Sequence, residues 1–237
     1  GHLHPLNYTL GLASAAASRG VTIFEGSRVT SIGEGSSALV STDRGCVRAQ
    51  FAVLCCNAYI GSLSPVLRAR IMPVGTYIVA TEPLGETRIQ ELIRENIAVS
   101  DTNFVLDYFR RSADHRLLSG GRVSYSGLNG LGMERATRKR MLNVFPQLAD
   151  ARIEYAWGGY VDITMSRAPD FGRIGTNVYY LQGFSGHGIA LSTIAGKLVA
   201  EAISGQAERF DLFTQLNHRN FPGGRWLRMP ALVLAML

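Results

Sequence analysis

Residues 183–189, Gly-Phe-Ser-Gly-His-Gly-Ile, form a glycine-rich junction between an apolar strand and an apolar helix. A helix N-terminus carries unpaired backbone N–H groups and the positive end of the helix dipole, and both attract negative charge. Glycines at that point let an anionic or flat ligand approach the backbone itself. The pattern therefore predicts a ligand contact, and a tight strand-to-helix turn without a ligand is the alternative that it leaves open.

The helix that must follow this junction is indicated by residues 190–203. Their apolar side chains step by three and four, which predicts a buried amphipathic helix that ends near Gly205. The residues expected on its inner face are Leu191, Ile194, Ala195, Leu198, Val199, Ala202 and Ile203. The glycine spacing is not Gly-x-Gly-x-x-Gly, so the junction differs from the common dinucleotide-binding turn.

The composition indicates a globular protein without a nucleic-acid-binding surface. The chain has 237 residues, of which 46% are hydrophobic and 18% charged, so it can bury the core of one or two domains. Only Lys139 and Lys197 are lysines among its 24 basic residues, and the arginines are scattered along the chain. A nucleic-acid surface would show a basic stripe, so the net charge of +6 does not predict one.

The cysteines indicate the cellular setting. Cys46, Cys55 and Cys56 are odd in number, two of them are adjacent, and none has metal-ligand spacing. This usage favours a reduced, cytoplasmic setting and no metal site. We expect no membrane span, because the closing residues 229–237 are apolar for too few positions, and no signal peptide, because a basic start is missing.

The beginning of the chain predicts helices and strands in alternation. Residues 6–20 place apolar side chains on one helical face and end in glycine, and residues 21–26 are expected to form a short strand. Together they would make an αβ unit. A hairpin is expected around residues 43–45, followed by a buried strand at 51–55 and a turn directly after it.

The middle of the chain has a different pattern. From residue 70 to residue 122, longer and partly alternating strands joined by turns predict an antiparallel sheet covered on one side. Residues 133–148 predict an amphipathic helix with a basic outer face; the residues turned inward would be Met133, Met141, Leu142 and Phe145. Strands 152–164 and 177–184 follow, and the second leads into the glycine-rich junction.

Three stretches in fixed order carry a family resemblance: "HLHPLNYTLGLASAAASRGVTIFEGSRVTSI", "FAVLCCNAYIG" and "PDFGRIGTNVYYLQGFSGHGIALSTIAGKLVAEAI". Together they resemble the D-amino-acid-oxidase-like family of FAD-dependent amine and amino acid oxidoreductases. The stretches "ATEPL", "GGYVDITMSRAPDFGRIG" and "FPGG" are most similar to its γ-glutamylputrescine oxidoreductase type. The resemblance covers nearly the whole chain.

This resemblance implies an α+β fold, in which an antiparallel substrate-domain sheet joins an incomplete FAD-binding, Rossmann-like α/β portion. Residues 1–70 and 158–237 would belong to the FAD-binding domain, and residues 71–157 to the substrate-binding domain. Family members begin with a Gly-x-Gly-x-x-Gly turn for the FAD pyrophosphate, which this chain lacks. We therefore expect a C-terminal fragment that alone binds FAD weakly or not at all, and that exposes an apolar patch or hides it in an oligomer.

The resemblance also implies three sets of FAD contacts. Val29 matches a backbone position that meets the adenine, with an ordinary core valine as the alternative. Cys56, Asn57 and Ala58 match a turn that passes beside the dinucleotide. The loop and helix start beneath the pyrimidine edge of the flavin are matched by Gly183, Phe184, Ser185, Gly186, His187, Gly188 and Ile189. The helix dipole there would stabilise the anion that forms when the flavin accepts a hydride.

The substrate is indicated by a position near the end of the strand 152–164. Relatives that act on α-amino acids place an arginine just after the glycine that matches Gly159, where it holds the carboxylate in a bidentate pair. This chain has Tyr160 there, which favours an amine such as a polyamine conjugate. Tyr108, Tyr160 and Asp162 would line the substrate pocket, and an exposed strand-end aspartate is the alternative for Asp162.

The function implied is oxidation of a C–N bond in a small amine or amino acid by hydride transfer to FAD. The flavin itself accepts the hydride, so no catalytic acid–base pair has to appear in the sequence and none is assigned. A non-catalytic binding or assembly module that keeps the fold is the alternative function.

Overall fold

The computed structural model describes residues 1–103, 105–124 and 132–222 of the chain. These residues divide into two compact units. Residues 1–3 and 74–160 form the sheet unit, and residues 4–73 and 161–222 form the loop unit, which contains the glycine-rich junction. The domain boundaries expected from the sequence, and the FAD and substrate roles attached to them, stay predictions. The closing apolar residues 229–237 lie outside the described part.

Helices and strands alternate along the described residues. The first are α1 (Pro5–Ala17), β1 (Val29–Gly33), β2 (Ala38–Thr42), β3 (Cys46–Ala49), β4 (Ala52–Leu54), α2 (Pro65–Arg70), β5 (Ile71–Thr81), α3 (Glu86–Leu92) and β6 (Ala98–Ser100). The others are β7 (Tyr108–Arg111), β8 (Leu117–Ser124), α4 (Met133–Val144), β9 (Ile153–Thr164), β10 (Asp170–Ile174), β11 (Val178–Gln182), α5 (Gly188–Ile203) and α6 (Glu208–Thr214). Among these helices none alone is long and apolar enough to cross a membrane; α5 and α6 meet that test only as a pair bent by 116°.

A five-stranded sheet with the order β6-β7-β8-β5-β9 organises the sheet unit. β7 pairs antiparallel with β6 and β8, and β8 pairs antiparallel with β5, so the predicted antiparallel sheet is confirmed. One face of the sheet packs with α3 and α4 on a buried cluster formed by Val79, Ile89, Ile93, Leu117, Met141, Phe145, Leu148 and Ala151. The predicted amphipathic helix is confirmed as α4, although it ends one residue before Phe145.

A three-stranded sheet with the order β10-β11-β4 carries the junction in the loop unit. β11 is antiparallel to β10 and parallel to β4, with Val178 opposite Ala52. Helices α5 and α6 pack on this sheet around Phe171, Tyr179, Leu181, Phe184, Ala195, Leu198, Val199, Ala202 and Phe210. The predicted succession of strand, junction and buried helix is confirmed. The end of β11 thereby delivers the junction to the start of α5.

A second sheet of the loop unit has the order β1-β2-β3. β2 and β3 form the hairpin expected around residues 43–45, with Ser41 opposite Cys46. The strand predicted at residues 51–55 is confirmed as β4, and a 3₁₀ helix at Asn57–Tyr59 takes the place of the predicted turn.

Two expectations about burial and pairing were wrong. Residues 21–26 form no strand, and Val21, Ile23 and Phe24 are exposed. A strand needs a hydrogen-bonded neighbour, and none of the described strands pairs with these residues. On α5, Ile194 was expected inside but is 44% exposed, because it lies outside the cluster that buries Ala195 and its neighbours.

Helix α1 also presents apolar side chains to solvent. It forms where the sequence predicts it, yet none of its residues is buried. Leu6 is 61% exposed and Leu10 is 58% exposed. Together with Val21 and Phe24 these side chains agree with the expected exposed apolar surface.

Candidate functional site

The glycine-rich junction follows a left-handed path from β11 to α5. Gly183 (φ 77°), Ser185 (φ 52°) and Gly186 (φ 92°) all have positive φ. Glycine adopts this conformation readily, whereas a residue with a Cβ atom pays about 1–2 kcal/mol for it. Ser185 is therefore held in an unfavourable conformation, and contacts around it must offset the cost.

Asp162, near the end of β9, supplies most of those contacts. One carboxylate oxygen accepts the N–H of Gly183, and the other accepts the N–H of Phe184 at 3.1 Å. Its backbone carbonyl accepts the N–H of Ser185 at 2.9 Å. Asp162 is only 1% exposed, and burial raises the pKa of its carboxyl above the ordinary value, although the two N–H donors oppose the rise. Three consecutive N–H groups of the junction therefore donate to the same residue.

Thr164 and Ser185 secure the junction from a second direction. The Ser185 hydroxyl accepts the N–H of Thr164 at 3.3 Å and donates to the carbonyl of Gly183 at 3.2 Å. The Thr164 hydroxyl donates to the carbonyl of Ala168 at 2.8 Å, which fixes the rotation of the Thr164 side chain. The Thr164 methyl carbon would lie only 2.5 Å from a Cβ atom added to Gly183. A glycine is therefore required at position 183 by close approach as well as by φ.

A cavity of about 460 Å³ opens beside the junction. It is lined by Cys55, Asn57, Val161, Asp162, Leu181, Phe184, Gly186, Gly188, Ile189, Ser192 and Gly196. Gly188, Ser192 and Gly196 stand at steps of four on α5, so this row of the helix carries no side chain larger than that of serine. A Cβ atom added to Gly186 would meet nothing within 4 Å. A flat molecule can therefore lie close to the backbone here.

Three residues with unpaired backbone donors line this cavity at the start of α5. Within the described part of the chain, the N–H groups of Gly186, Gly188 and Ile189 have no hydrogen-bond partner. By contrast, the N–H of His187 donates to the carbonyl of Phe184 at 2.9 Å. The helix dipole adds a positive potential at the same place. The arrangement suits the polar or partly anionic edge of a flat ligand whose body meets apolar walls.

Asn57 stands across the cavity from a different part of the loop unit. It has φ 50°, and its side-chain carbonyl accepts the N–H of Ala58. Asparagine tolerates this left-handed conformation better than most residues. Cys56 and Ala58 flank Asn57 without lining the cavity.

The structure brings some of the predicted site residues together and not others. Asn57 and Asp162 share the cavity with four junction residues, Phe184, Gly186, Gly188 and Ile189, whereas Gly183, Ser185 and His187 adjoin its wall. Val29 is half-buried on β1 and is not among the lining residues. The assignment of these residues to FAD stays a prediction.

The two predicted tyrosines belong to the sheet unit. Tyr108 lies on β7 with its ring directly over Gly120, where an added Cβ atom would come within 2.3 Å of the ring. Burial raises the pKa of the Tyr108 phenol. Tyr160 is half-buried near the end of β9. Their contact with a substrate stays a prediction.

Sequence reasoning missed several cavity residues. Cys55, Val161, Ser192 and Gly196 were not assigned, and one signal for the last two was present, since small residues recur every fourth position after Gly188. Cys55 and Val161 each adjoin an assigned residue but carry no pattern of their own.

A buried polar network just before the junction was also missed. Asp170 on β10 is 1% exposed and accepts hydrogen bonds from Tyr180 at 3.2 Å and from Gln182 at 2.9 Å. Arg70 lies 3.6 Å from the same carboxylate and donates to the Tyr180 hydroxyl at 2.9 Å. Burial, with the charge of Asp170, raises the pKa of Tyr180 to about 12. The network fixes β10 to β11 where the junction begins.

Known proteins match most of this chain. Residues 1–202 match the family model DAO, described as FAD dependent oxidoreductase. The chain is 46% identical over 231 residues to the gamma-glutamylputrescine oxidoreductase of Escherichia coli (strain K12), which aligns 97% of this chain with 54% of that protein. It is 43% identical over 233 residues to the probable oxidoreductase OrdL of Haemophilus influenzae, with 96% and 53% aligned. The chain thus spans about half the length of the curated relatives it matches.

Solved structures with the same fold include two oxidoreductases. Glycine oxidase from Geobacillus kaustophilus has a TM-score of 0.75 at 23% identity, covering 89% of this chain and 57% of that one. L-proline dehydrogenase from P. horikoshii has a TM-score of 0.72 at 22% identity, covering 88% and 59%. At these identities the likeness is one of fold, and it confirms the expected α+β class.

Proposed function

We propose that this chain, which belongs to the DAO family of FAD-dependent oxidoreductases, is part of an enzyme that holds FAD against the glycine-rich junction and oxidises a C–N bond. One observation carries the proposal. Gly186, Gly188 and Ile189, whose N–H groups are unpaired within the described residues, line a cavity whose helical wall includes the small residues Gly188, Ser192 and Gly196. This donor set fits the pyrimidine edge of a flavin, which offers acceptors and carries negative charge when reduced.

The residues of this chain bind and orient, and the chemistry of electron transfer belongs to the cofactor. FAD, when bound, supplies the acceptor for the hydride that leaves the carbon bearing the nitrogen. The start of α5 would stabilise negative charge at the flavin edge, because its donors are already aligned and need no reorganisation. Val161, Leu181 and Phe184 give the cavity apolar walls.

We propose a primary amine, of the polyamine-conjugate kind, as the substrate. Two observations support it: the relative with 46% identity is named a gamma-glutamylputrescine oxidoreductase, and Tyr160 stands where a carboxylate-binding arginine would be expected. Tyr108 and Tyr160 are the stronger candidates for substrate contact. The carboxylate of Asp162 already accepts two backbone N–H groups, which favours a role inside the junction.

The proposal extends to the whole protein and its setting. Because the matched relatives have about twice the length, we infer that the full-length protein supplies the rest of the FAD-binding domain. A cytoplasmic location is part of the proposal. The free thiols of Cys46, Cys55 and Cys56 support a reducing compartment.

The decisive experiment is a spectrum of the full-length protein followed by anaerobic reduction. Purified protein should show flavin absorption bands, or acquire them when FAD is added and excess is removed. Primary amines and polyamine conjugates should bleach these bands faster than free α-amino acids do. A protein that stays colourless after incubation with FAD would overturn the proposal, and bleaching by α-amino acids alone would overturn its substrate part.

A further inference from the structure

The junction divides its backbone donors between two partners. The first three amides, at residues 183–185, all donate to Asp162. Of the next four, only that of His187 has a partner within the described residues, and the other three belong to residues that line the cavity. The boundary between the two sets falls at Gly186, where the chain has its most positive φ of the junction.

We propose that Asp162 is a positioning residue for the cofactor, a role that rests on the proposed function. By accepting the first three N–H groups, it holds the junction in its left-handed path and directs the remaining unpaired N–H groups into the cavity. Asp162 itself need not touch the flavin. Its effect on cofactor binding is exerted through the backbone of the junction.

The cost of losing these contacts supports the role. Gly183 and Phe184 are buried, so their N–H groups would be left without partners in an apolar setting if the Asp162 carboxylate were removed. Ser185 keeps its bond to the Asp162 backbone carbonyl, but its unfavourable φ would lose the support of two neighbours that the carboxylate holds in place. Burial raises the pKa of the Asp162 carboxyl, so keeping its charge in this place lowers stability, as is common where a charged group serves function.

Asp170 provides a matched control. It is as fully buried as Asp162 and lies in the same unit, at 1% exposure each. Its carboxylate, however, accepts hydrogen bonds from the side chains of Tyr180 and Gln182 and none from the described junction amides. If both buried carboxylates served only to stabilise the fold, substitution of either one should change FAD affinity to the same extent.

The test compares Asp162→Asn with Asp170→Asn in the full-length protein. Asparagine keeps the size of the side chain but turns an N–H donor toward one of the junction amides. We expect the Kd for FAD, measured by quenching of flavin fluorescence, to rise about ten- to one-hundred-fold in Asp162→Asn. Asp170→Asn should unfold at lower urea concentration, and the Kd of its folded form for FAD should rise less than that of Asp162→Asn, because no junction amide donates to Asp170. Equal Kd values for Asp162→Asn and the unsubstituted protein would overturn the inference.

Hydrogen exchange of the unsubstituted protein tests the same point without a variant. In the FAD-free protein, the amides of residues 183–185 should exchange slowly and those of Gly186, Gly188 and Ile189 quickly, and FAD should slow the second set. Fast exchange of the first set would overturn the role of Asp162 even if Asp162→Asn did not fold. The two proposals fail in different ways, because absence of FAD binding by the unsubstituted protein contradicts the proposed function itself.

Discussion

Alanine at Gly186 should impair FAD binding more than stability, and alanine at Gly183 should do the reverse. Both residues have positive φ, so each substitution pays the same backbone cost of about 1–2 kcal/mol. They differ in what surrounds the added methyl group. At Gly186 there is open cavity, and at Gly183 there is packed protein.

Close packing around Gly183 makes Gly183→Ala the more destabilising of the two substitutions. Its added Cβ would lie 2.5 Å from the Thr164 methyl carbon and 3.1 Å from the backbone nitrogen of Asp170. Thr164 cannot turn away without breaking its bond to the carbonyl of Ala168. Overpacking of this kind costs about 1–3 kcal/mol, which brings the total for Gly183→Ala to about 2–5 kcal/mol. Domains are stable by about 5–15 kcal/mol, so this loss is severe.

Gly186→Ala should weaken FAD binding more than it lowers the stability of the free protein. The new methyl group meets nothing within 4 Å in the free protein, so the loss of unfolding free energy should stay near 1–2 kcal/mol. In the complex the same methyl stands beside unpaired N–H groups where the flavin edge would approach. A forced separation worth about 1–3 kcal/mol weakens FAD binding by about five- to one-hundred-fifty-fold.

Urea denaturation of the FAD-free, full-length protein and titration with FAD measure the two effects separately. Gly11→Ala in α1, measured in the 237-residue chain, is the stability control, because Gly11 is exposed there with open space around it and alanine should add about 0.5–1 kcal/mol of stability. Unchanged FAD affinity of Gly186→Ala would refute the placement of the flavin. Equal stability of the Gly183 and Gly186 variants would refute the packing argument.

Three other predictions concern single side chains. Tyr160→Arg should raise the kcat/KM ratio of α-amino acids to amines by about one to two powers of ten, because a charge-assisted pair contributes about 1.5–3 kcal/mol, and an unchanged ratio would contradict the missing-clamp argument. Because the pKa of Tyr180 is raised to about 12 in the folded protein, its phenol ionises at lower pH in the unfolded chain. The free energy of unfolding, measured in urea, should therefore fall as pH rises from about 10 towards 12. An equally steep fall with pH in Tyr180→Phe would contradict this. Leu10→Ser, at an exposed position, should change the stability of the 237-residue chain by less than about 0.5 kcal/mol. If the rest of the full-length protein covers α1, the same substitution should lower the stability of that protein by about 2 kcal/mol. Equally small effects in both proteins would show that α1 stays uncovered.

Elements whose formation depends on their own residues were predictable from the sequence. The spacing of apolar residues after Gly188 is enough to predict α5, and a short polar turn between two β-rich runs predicts the hairpin of β2 and β3. The strand expected at residues 21–26 failed because strand formation also needs a neighbour, which no local pattern can supply. Ile194 was misjudged for a similar reason, since periodicity identifies an apolar face but not what covers it.

The candidate site was predictable in its position and not in its internal contacts. Glycines between an apolar strand and an apolar helix identify the junction from the sequence alone. The contacts of Asp162 left no such trace, because its partners are backbone N–H groups of residues about twenty positions away, and a backbone donor looks the same in every residue. The network around Asp170 joins side chains on separate strands and is equally invisible to periodicity.

The parallel pairing of β4 with β11 has a consequence for synthesis on the ribosome. β4 is made before the sheet unit, and its partner β11 is translated about 125 residues after β4, with the entire stretch 74–160 of the sheet unit in between. At about 5–20 residues per second, β4 waits roughly 6–25 seconds for β11. During that time the sheet unit, which is almost continuous in sequence, can fold beside a nascent loop unit whose apolar strand is still open. We therefore expect chaperones that recognise extended apolar segments to bind the nascent chain at β4, before the glycine-rich junction has been translated.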